Sequence, residues 1–171
     1  MELILTAYRY REQELLEDVE SLGEFHSSGF RDVVRGRVSD LNTFLDELEE
    51  ETIFSLSRVI PIEKSFKISI DDAEKDIAIE VEELLEEIEE GESFAVRVER
   101  RGYSEELSSK ELEKYIGTYI TDALEDRFEA KPEVDLEDPD KAVIIETLGK
   151  WCGIGIISKA MRERYSYLKL P

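Results

Sequence analysis

The sequence predicts an α/β (α+β) protein in two parts, and three observations carry that expectation. Residues 3–62 read as strand, helix, strand, strand, helix, strand. Ser93–Gly117 reads as a basic strand, a loop and the start of a capped helix. Ala142-Val143-Ile144-Ile145 is a continuous apolar run, the mark of a strand buried on both faces. A chain of 171 residues with 41% apolar residues buries about 70% of its unfolded surface, enough for one large or two small domains.

The first part is justified element by element. Leu3 to Tyr10 (LILTAYRY) reads as a strand. Residues 11–22 read as a helix with Leu15, Leu16, Val19 and Leu22 inward, stopped by Gly23 at its C-cap. Phe25 to Val38 reads as a hairpin turning near Ser28-Gly29. Ser39 or Asp40 caps a second helix with Leu41, Phe44, Leu45 and Leu48 inward. Ile53 to Ile62 closes the set as a strand region. The order β-α-β-β-α-β is the ferredoxin-like pattern, and it defines a first domain over residues 1–66.

Residues 67–171 form the second domain. Lys64 to Ser69 reads as the junction, with Phe66, Ile68 and Ile70 alternating as in a short strand. Asp71 or Asp72 opens a helix over 73–90, in which Ile77, Ile79, Val81, Leu84, Leu85 and Ile88 alternate with a dense run of glutamates. In Phe94-Ala95-Val96-Arg97-Val98 the apolar residues recur at a period of two, so they share one sheet face; Arg97 and Arg101 point the other way and Arg100 extends past the apolar row. Gly102 breaks the strand. Ser108, three residues before Glu111, matches the capping-box pattern. Leu112, Tyr115, Ile116, Tyr119, Ile120, Ala123 and Leu124 then supply a helical stripe. Asp138-Pro139-Asp140 is a turn, Lys141 to Leu148 a strand, Gly149-Lys150 a second turn, and Trp151 to Ser158 a returning strand whose Gly153 and Gly155 point to a bulge or a close backbone approach.

Charge and composition exclude several classes. No apolar run approaches the ~20 residues of a membrane span, and the start lacks the basic and apolar regions of a signal peptide. The single cysteine excludes an internal disulfide and suits a reducing cytoplasm. Net charge is −21, which repels a polyanion. It is unevenly placed: residues 1–92 hold 9 Lys+Arg against 27 Asp+Glu, and residues 93–171 hold 13 against 16. Screening over about 8 Å at physiological salt lets a local basic patch act despite distant acids. Catalytic constellations are absent. His26 stands alone in the hairpin, Cys152 falls on a buried strand, and one Cys with one His makes no zinc set. Gly149 to Gly155 lacks the third glycine and following helix of a dinucleotide loop. No catalytic residue, metal or cofactor is expected. The glutamate run reads as a solvated acidic face.

Four pieces stand in order: the arginine-rich strand FAVRVERRG, the Ser-Lys helix SSKELEKYIG, the VDLEDPD turn, and an apolar strand pair ending in GIGI. Over roughly residues 60–160, and more weakly over the whole chain, this resembles the THUMP domain, an RNA-binding module of tRNA-modifying proteins. A ferredoxin-like domain typically precedes that module. The resemblance implies tRNA as partner, gripped at its acceptor stem and single-stranded 3′ end. The matching positions are Arg97, Arg100 and Arg101 on the strand, with Ser109 and Lys110 at the helix start. Lys150 and Lys159 follow from charge and position. Unpaired bases would meet Tyr103, Tyr165 or Tyr167. Family members usually carry a fused catalytic domain, and the chain ends about where the THUMP unit would. The resemblance therefore implies a stand-alone, non-enzymatic cytoplasmic adaptor that presents tRNA to a separate enzyme, on the pattern of the N4-acetylcytidine acetyltransferase adaptor. The alternatives are an RNA-binding subunit of a split thiolase or methyltransferase, and an acidic protein-interaction module without RNA binding.

Overall fold

The computed structural model describes residues 1–171 as a mixed α/β chain with two four-stranded sheets and five helices. It separates into two compact units: residues 1–63 with 161–169, and residues 64–160 with 170–171. Pattern alone sets the boundary after residue 66 and leaves the tail with the second domain. No helix is long and apolar enough to cross a membrane.

The first unit comprises β1 (Glu2–Ala7), α1 (Glu12–Val19), β2 (Glu24–Ser27), β3 (Val33–Arg37), α2 (Leu41–Glu50) and β4 (Leu56–Ile62). The sheet order is β2-β3-β1-β4 and every pairing is antiparallel. β3 thus inserts between β1 and β2, as the ferredoxin-like pattern requires. Leu15 and Val19 of α1 and Phe44, Leu45 and Leu48 of α2 are buried with Leu3 and Leu5. Asp40 is the N-cap of α2, its carboxylate accepting the Thr43 N–H at 2.7 Å.

Two local expectations change here. α1 ends at Val19, and Gly23 is not its left-handed cap. A Cβ at Gly23 would lie 2.6 Å from the Arg37 carbonyl oxygen, so close approach explains this glycine. β1 ends at Ala7 because Tyr10 takes a left-handed φ of 65° and donates its N–H to Asp32 at 3.1 Å.

The tail is tied into the same unit. The buried Tyr165 hydroxyl donates to Asp46 at 3.1 Å, and the Tyr167 hydroxyl accepts the Ile53 N–H at 3.0 Å. Burial foremost, then the bond to Asp46, holds the Tyr165 phenol above its ordinary pKa.

The second unit comprises β5 (Lys64–Lys67), α3 (Ala73–Glu82), a 3-10 turn (Glu83–Glu87), β6 (Phe94–Arg101), α4 (Ser109–Phe128), β7 (Lys141–Leu148) and β8 (Trp151–Ser158); α5 (Lys159–Arg164) follows β8. The sheet order is β5-β8-β7-β6. β6 and β7 run parallel, which needs the crossover that α4 supplies, and the other pairs are antiparallel. Phe94, Val96 and Val98 do share the face buried against α3 and α4, with Val143, Ile145, Ile154, Ile77, Val81, Leu112, Ile116 and Ile120. The residues read as a junction form edge strand β5. The expected helix over 73–90 tightens into a 3-10 turn after Glu82, and Ile79 faces outward at 65% exposure. The β7–β8 register is unbroken from Lys141↔Ser158 to Leu148↔Trp151, so Gly153 and Gly155 make no bulge.

Candidate nucleic-acid interface

β6 is an edge strand, so one row of its backbone groups needs other partners. The segment after α4 supplies some of them. The Phe94 N–H donates to the Glu133 carbonyl and the Asp135 N–H donates to the Phe94 carbonyl, each at 3.0 Å. Asp135 in turn accepts the Glu137 and Asp138 N–H groups at 2.9 and 3.0 Å. Those two backbone bonds, Asp138 first, hold its carboxyl below the usual range. Farther along β6, the Val98 N–H donates to the Glu113 carboxylate of α4 at 3.0 Å.

The strand arginines divide by what they already hold. Arg101 is ion-paired with the fully buried Glu146 and lies 3.6 Å from Glu99. Its guanidinium neutralises a charge inside the sheet. Arg97 donates to the Leu136 carbonyl, which ties the 133–136 segment to β6. Arg100 donates to the Gly102 carbonyl at 2.9 Å. Ser108 caps α4 as the pattern predicts, its hydroxyl oxygen accepting the Glu111 N–H at 3.3 Å. Ser109 and Lys110 open the helix beside a hollow of about 310 Å³. Arg100 lines that hollow too, but so do Glu105, Glu106 and Glu111. The helix start is therefore of mixed charge.

A more uniformly basic feature lies farther along α4. A groove of about 490 Å³ runs between this helix and the 131–136 segment, floored by Phe94 and Val96 of β6. Lys110 and Lys114 line it from one helix face, one turn apart, and Lys131 lines it from beyond the helix end. All three are exposed, and none has a carboxylate within ion-pairing distance. The one carboxylate in the lining, Glu113, accepts the Val98 N–H. Half-exposed Val134 and Leu136 add an apolar rim. Lys114 was within reach of sequence reasoning, since it follows Lys110 at the i,i+4 spacing that shares a helix face. Lys131 was not, because its return to the groove depends on the docking of 133–135 against Phe94.

The other candidates stand apart from this groove's lining. Lys150 is exposed in the β7–β8 turn. Lys159 holds Asp138 at 2.5 Å. Tyr103 is exposed, with a left-handed φ of 50°. Tyr165 and Tyr167 are the tail's packing residues, so neither presents a free ring to a base. His26 is exposed and Cys152 buried. No group of three or more His, Cys, Asp and Glu side chains is placed to hold a metal ion.

The geometry defines an α+β module with a lysine-lined groove beside an edge strand. A model of the THUMP domain matches residues 71–157, half of the chain, and the chain belongs to the THUMP-domain family, an RNA-binding module of tRNA modification. Solved structures share the fold. TrmN from Thermus thermophilus is 19% identical with a TM-score of 0.64 over 91% of this chain and 44% of its own. PH1313 from Pyrococcus horikoshii Ot3 is 16% identical with a TM-score of 0.58 over 92% of this chain and 55% of its own. A 4-thiouridine synthetase, solved as an RNA complex with bound ATP, is 18% identical with a TM-score of 0.54 over 91% and 40%. The chain thus spans roughly half or less of the length of each. No curated protein matches its sequence.

Proposed function

We propose that the protein is a non-catalytic, cytoplasmic tRNA-binding adaptor, which presents the acceptor 3′ end to a separate modifying enzyme, an N4-acetylcytidine acetyltransferase. The observation that carries RNA binding is the convergence of Lys110, Lys114 and Lys131 on one groove without carboxylate partners. In a chain with 43 acidic and 22 basic residues, three exposed ammonium groups without a carboxylate partner form a local basic patch open to an anion. They would contact phosphates, which position RNA without reading its sequence. Arg97, Arg100 and Ser109 border the same helix start and strand. Arg101 would act through the sheet by holding Glu146. For the chemistry belonging to a partner, the support is that the lone thiol is buried and that the lone imidazole, on β2, lies outside the groove.

A second reading has its own support. The fold neighbours include a 4-thiouridine synthetase, in which the shared part is 40% of the chain. The same module would then serve as the RNA-binding portion of a thiolase or methyltransferase.

The test is binding of purified protein to tRNA with and without its unpaired 3′ nucleotides, followed by acetylation assays with a candidate acetyltransferase. The adaptor reading requires salt-sensitive binding that weakens on 3′ truncation, and an acetylation rate raised by the protein. Tight binding with no effect on acetylation moves the assignment to the second reading. No binding at low salt, with or without the enzyme, removes both.

A further inference from the structure

The first unit carries a second basic surface, made of different groups. Three loops meet at one end of its sheet. The Ala7 N–H donates to the Asp32 carbonyl and the Tyr8 N–H to the Ser55 carbonyl, each at 2.9 Å, and the Arg11 guanidinium donates to the Phe54 carbonyl at 3.4 Å. These bonds bring residues 8–11, the β2–β3 turn and the α2–β4 loop together.

What this end presents is aromatic and cationic. Tyr8, Tyr10 and Phe54 are 49, 68 and 74% exposed. The Arg9 and Arg31 guanidinium carbons lie over the Tyr10 ring at 4.9 and 5.5 Å from its centroid. Residues 1–63 contain six basic residues, all arginine, and Arg9, Arg11 and Arg31 are three of them. Arg11 lies 3.7 Å from Glu14, but Arg9 and Arg31 have no carboxylate partner. Three acids bonded to these loops orient them: Asp32 accepts the Tyr10 N–H, Glu12 accepts the Asp32 N–H at 3.0 Å, and Asp18 accepts the Ser55 hydroxyl at 2.5 Å. In a stretch with 6 basic and 15 acidic residues, two guanidinium groups and three rings are left facing solvent.

We infer that this loop end binds unpaired nucleotides of an RNA strand, with Tyr10 and Phe54 stacking on bases and Arg9 and Arg31 meeting phosphates. The inference rests on the RNA-binding reading above and adds a second contact, on the first unit. Flat rings and planar guanidiniums suit this ligand, because every base has a face to stack on while the charge tracks the backbone. Lysine would supply the charge without the plane. The contact is sequence-tolerant by construction, since none of these groups is placed in a hydrogen-bonding pocket.

The experiment uses the full chain and two labelled probes, a uridine oligomer and an RNA duplex, with anisotropy read across a salt series. Tyr10→Asn with Phe54→Ala removes two exposed rings, and asparagine tolerates the left-handed backbone at position 10. This variant should bind the uridine oligomer at least about 30-fold more weakly, the low end of the range for two lost base stacks, with the salt slope and duplex affinity unchanged. Arg9→Gln with Arg31→Gln should flatten the single-strand slope by about 1.4, two contacts at about 0.7 each. Melting curves confirm that each variant is folded. If both variants bind like the parent while Lys110, Lys114 and Lys131 substitutions lose RNA, this inference fails and the groove reading stands. If an acidic polyglutamate peptide binds the parent and is lost in the variants while RNA binding is unmoved, the surface is a protein contact and the inference fails. If the parent binds neither probe, both readings fail.

Discussion

Substituting Lys114 and Lys131 by glutamine, singly and together, tests the groove by counting its charges. Both side chains are exposed and neither is ion-paired, so glutamine removes charge without orphaning a partner. Each neutralised phosphate contributes about 0.7 (single strand) to 0.9 (duplex) to the slope of log affinity against log salt. With Lys110, the groove's three contacts contribute about −2 to −3 to that slope, which is a roughly 20- to 40-fold loss of affinity between about 50 and 200 mM salt. Each single substitution should lift the slope by about 0.7 to 0.9, and the pair by about 1.4 to 1.8. Lys159→Gln is the control: its ammonium lies 2.5 Å from Asp138, so its loss should leave the slope nearly unchanged. Anisotropy of labelled tRNA at a series of salt concentrations reads all four. The reasoning is refuted if the Lys114 and Lys131 variants keep the parent slope, or if Lys159→Gln flattens it as much as they do.

Further predictions concern the scaffold. Arg101→Ala removes the guanidinium ion-paired with the buried Glu146 carboxylate, and breaking one side of a buried pair costs about 3–5 kcal/mol; at roughly 2–4 °C per kcal/mol for a chain of this size, calorimetry should show a melting point lower by about 6–20 °C. Cys152 has its thiol pKa raised by burial foremost and by the Glu146 charge second, so a thiol reagent at mildly alkaline pH should label nothing in the folded protein and one group after denaturation. Asp40→Ala removes the cap of α2; because backbone and hydroxyl bonds from Thr43 lower the folded pKa of Asp40, the cap's contribution is present above the unfolded carboxylate pKa and lost as pH falls through the folded value. Urea midpoints of the parent and Asp40→Ala should therefore differ at neutral pH and converge in acid.

The arginines show where sequence reasoning reaches and where it stops. The alternation of Phe94, Val96 and Val98 is local, and it placed β6 and its buried face correctly. The Ser108 cap and the Gly149-Lys150 turn are local too, and both stand where the pattern puts them. Arg101 is different. Its partner Glu146 lies 45 residues away, and only the parallel β6–β7 register, with Glu99 beside Glu146, brings the two together. No sequence pattern states that register, so in the sequence alone a counterion of a buried carboxylate looks like a free cation. Tyr8–Tyr10 makes the same point from the other side. Its residues continue the strand pattern of LILTAYRY, yet the carboxylate of Asp32, 22 residues on, turns the chain and exposes the rings. The tail tyrosines stand among basic residues in the sequence, whereas Asp46 and Ile53 decide their place in the fold.

The net charge of −21 sets how such a groove must work, and it separates the association rate from the affinity. A basic nucleic-acid binder is steered toward its target, and its association rate falls as salt screens the attraction. Here the long-range field repels RNA, while attraction acts only within a few ångströms of unpaired basic groups: Lys110, Lys114 and Lys131 in the groove, and Arg9 and Arg31 on the first unit. Added salt screens the long-range repulsion first, over a Debye length that shortens from about 30 Å at 0.01 M to 10 Å at 0.1 M. The association rate should therefore hold level or rise with salt, and the dissociation rate should carry the whole loss of affinity. Stopped-flow measurement at matched salt concentrations reads the two rates apart. An association rate that falls steeply with salt would mean that RNA meets a broad positive surface, which this charge distribution does not provide. A level or rising one would explain how so acidic a chain holds a polyanion: by a few unpaired basic side chains at close range, with the acids elsewhere discouraging other approaches.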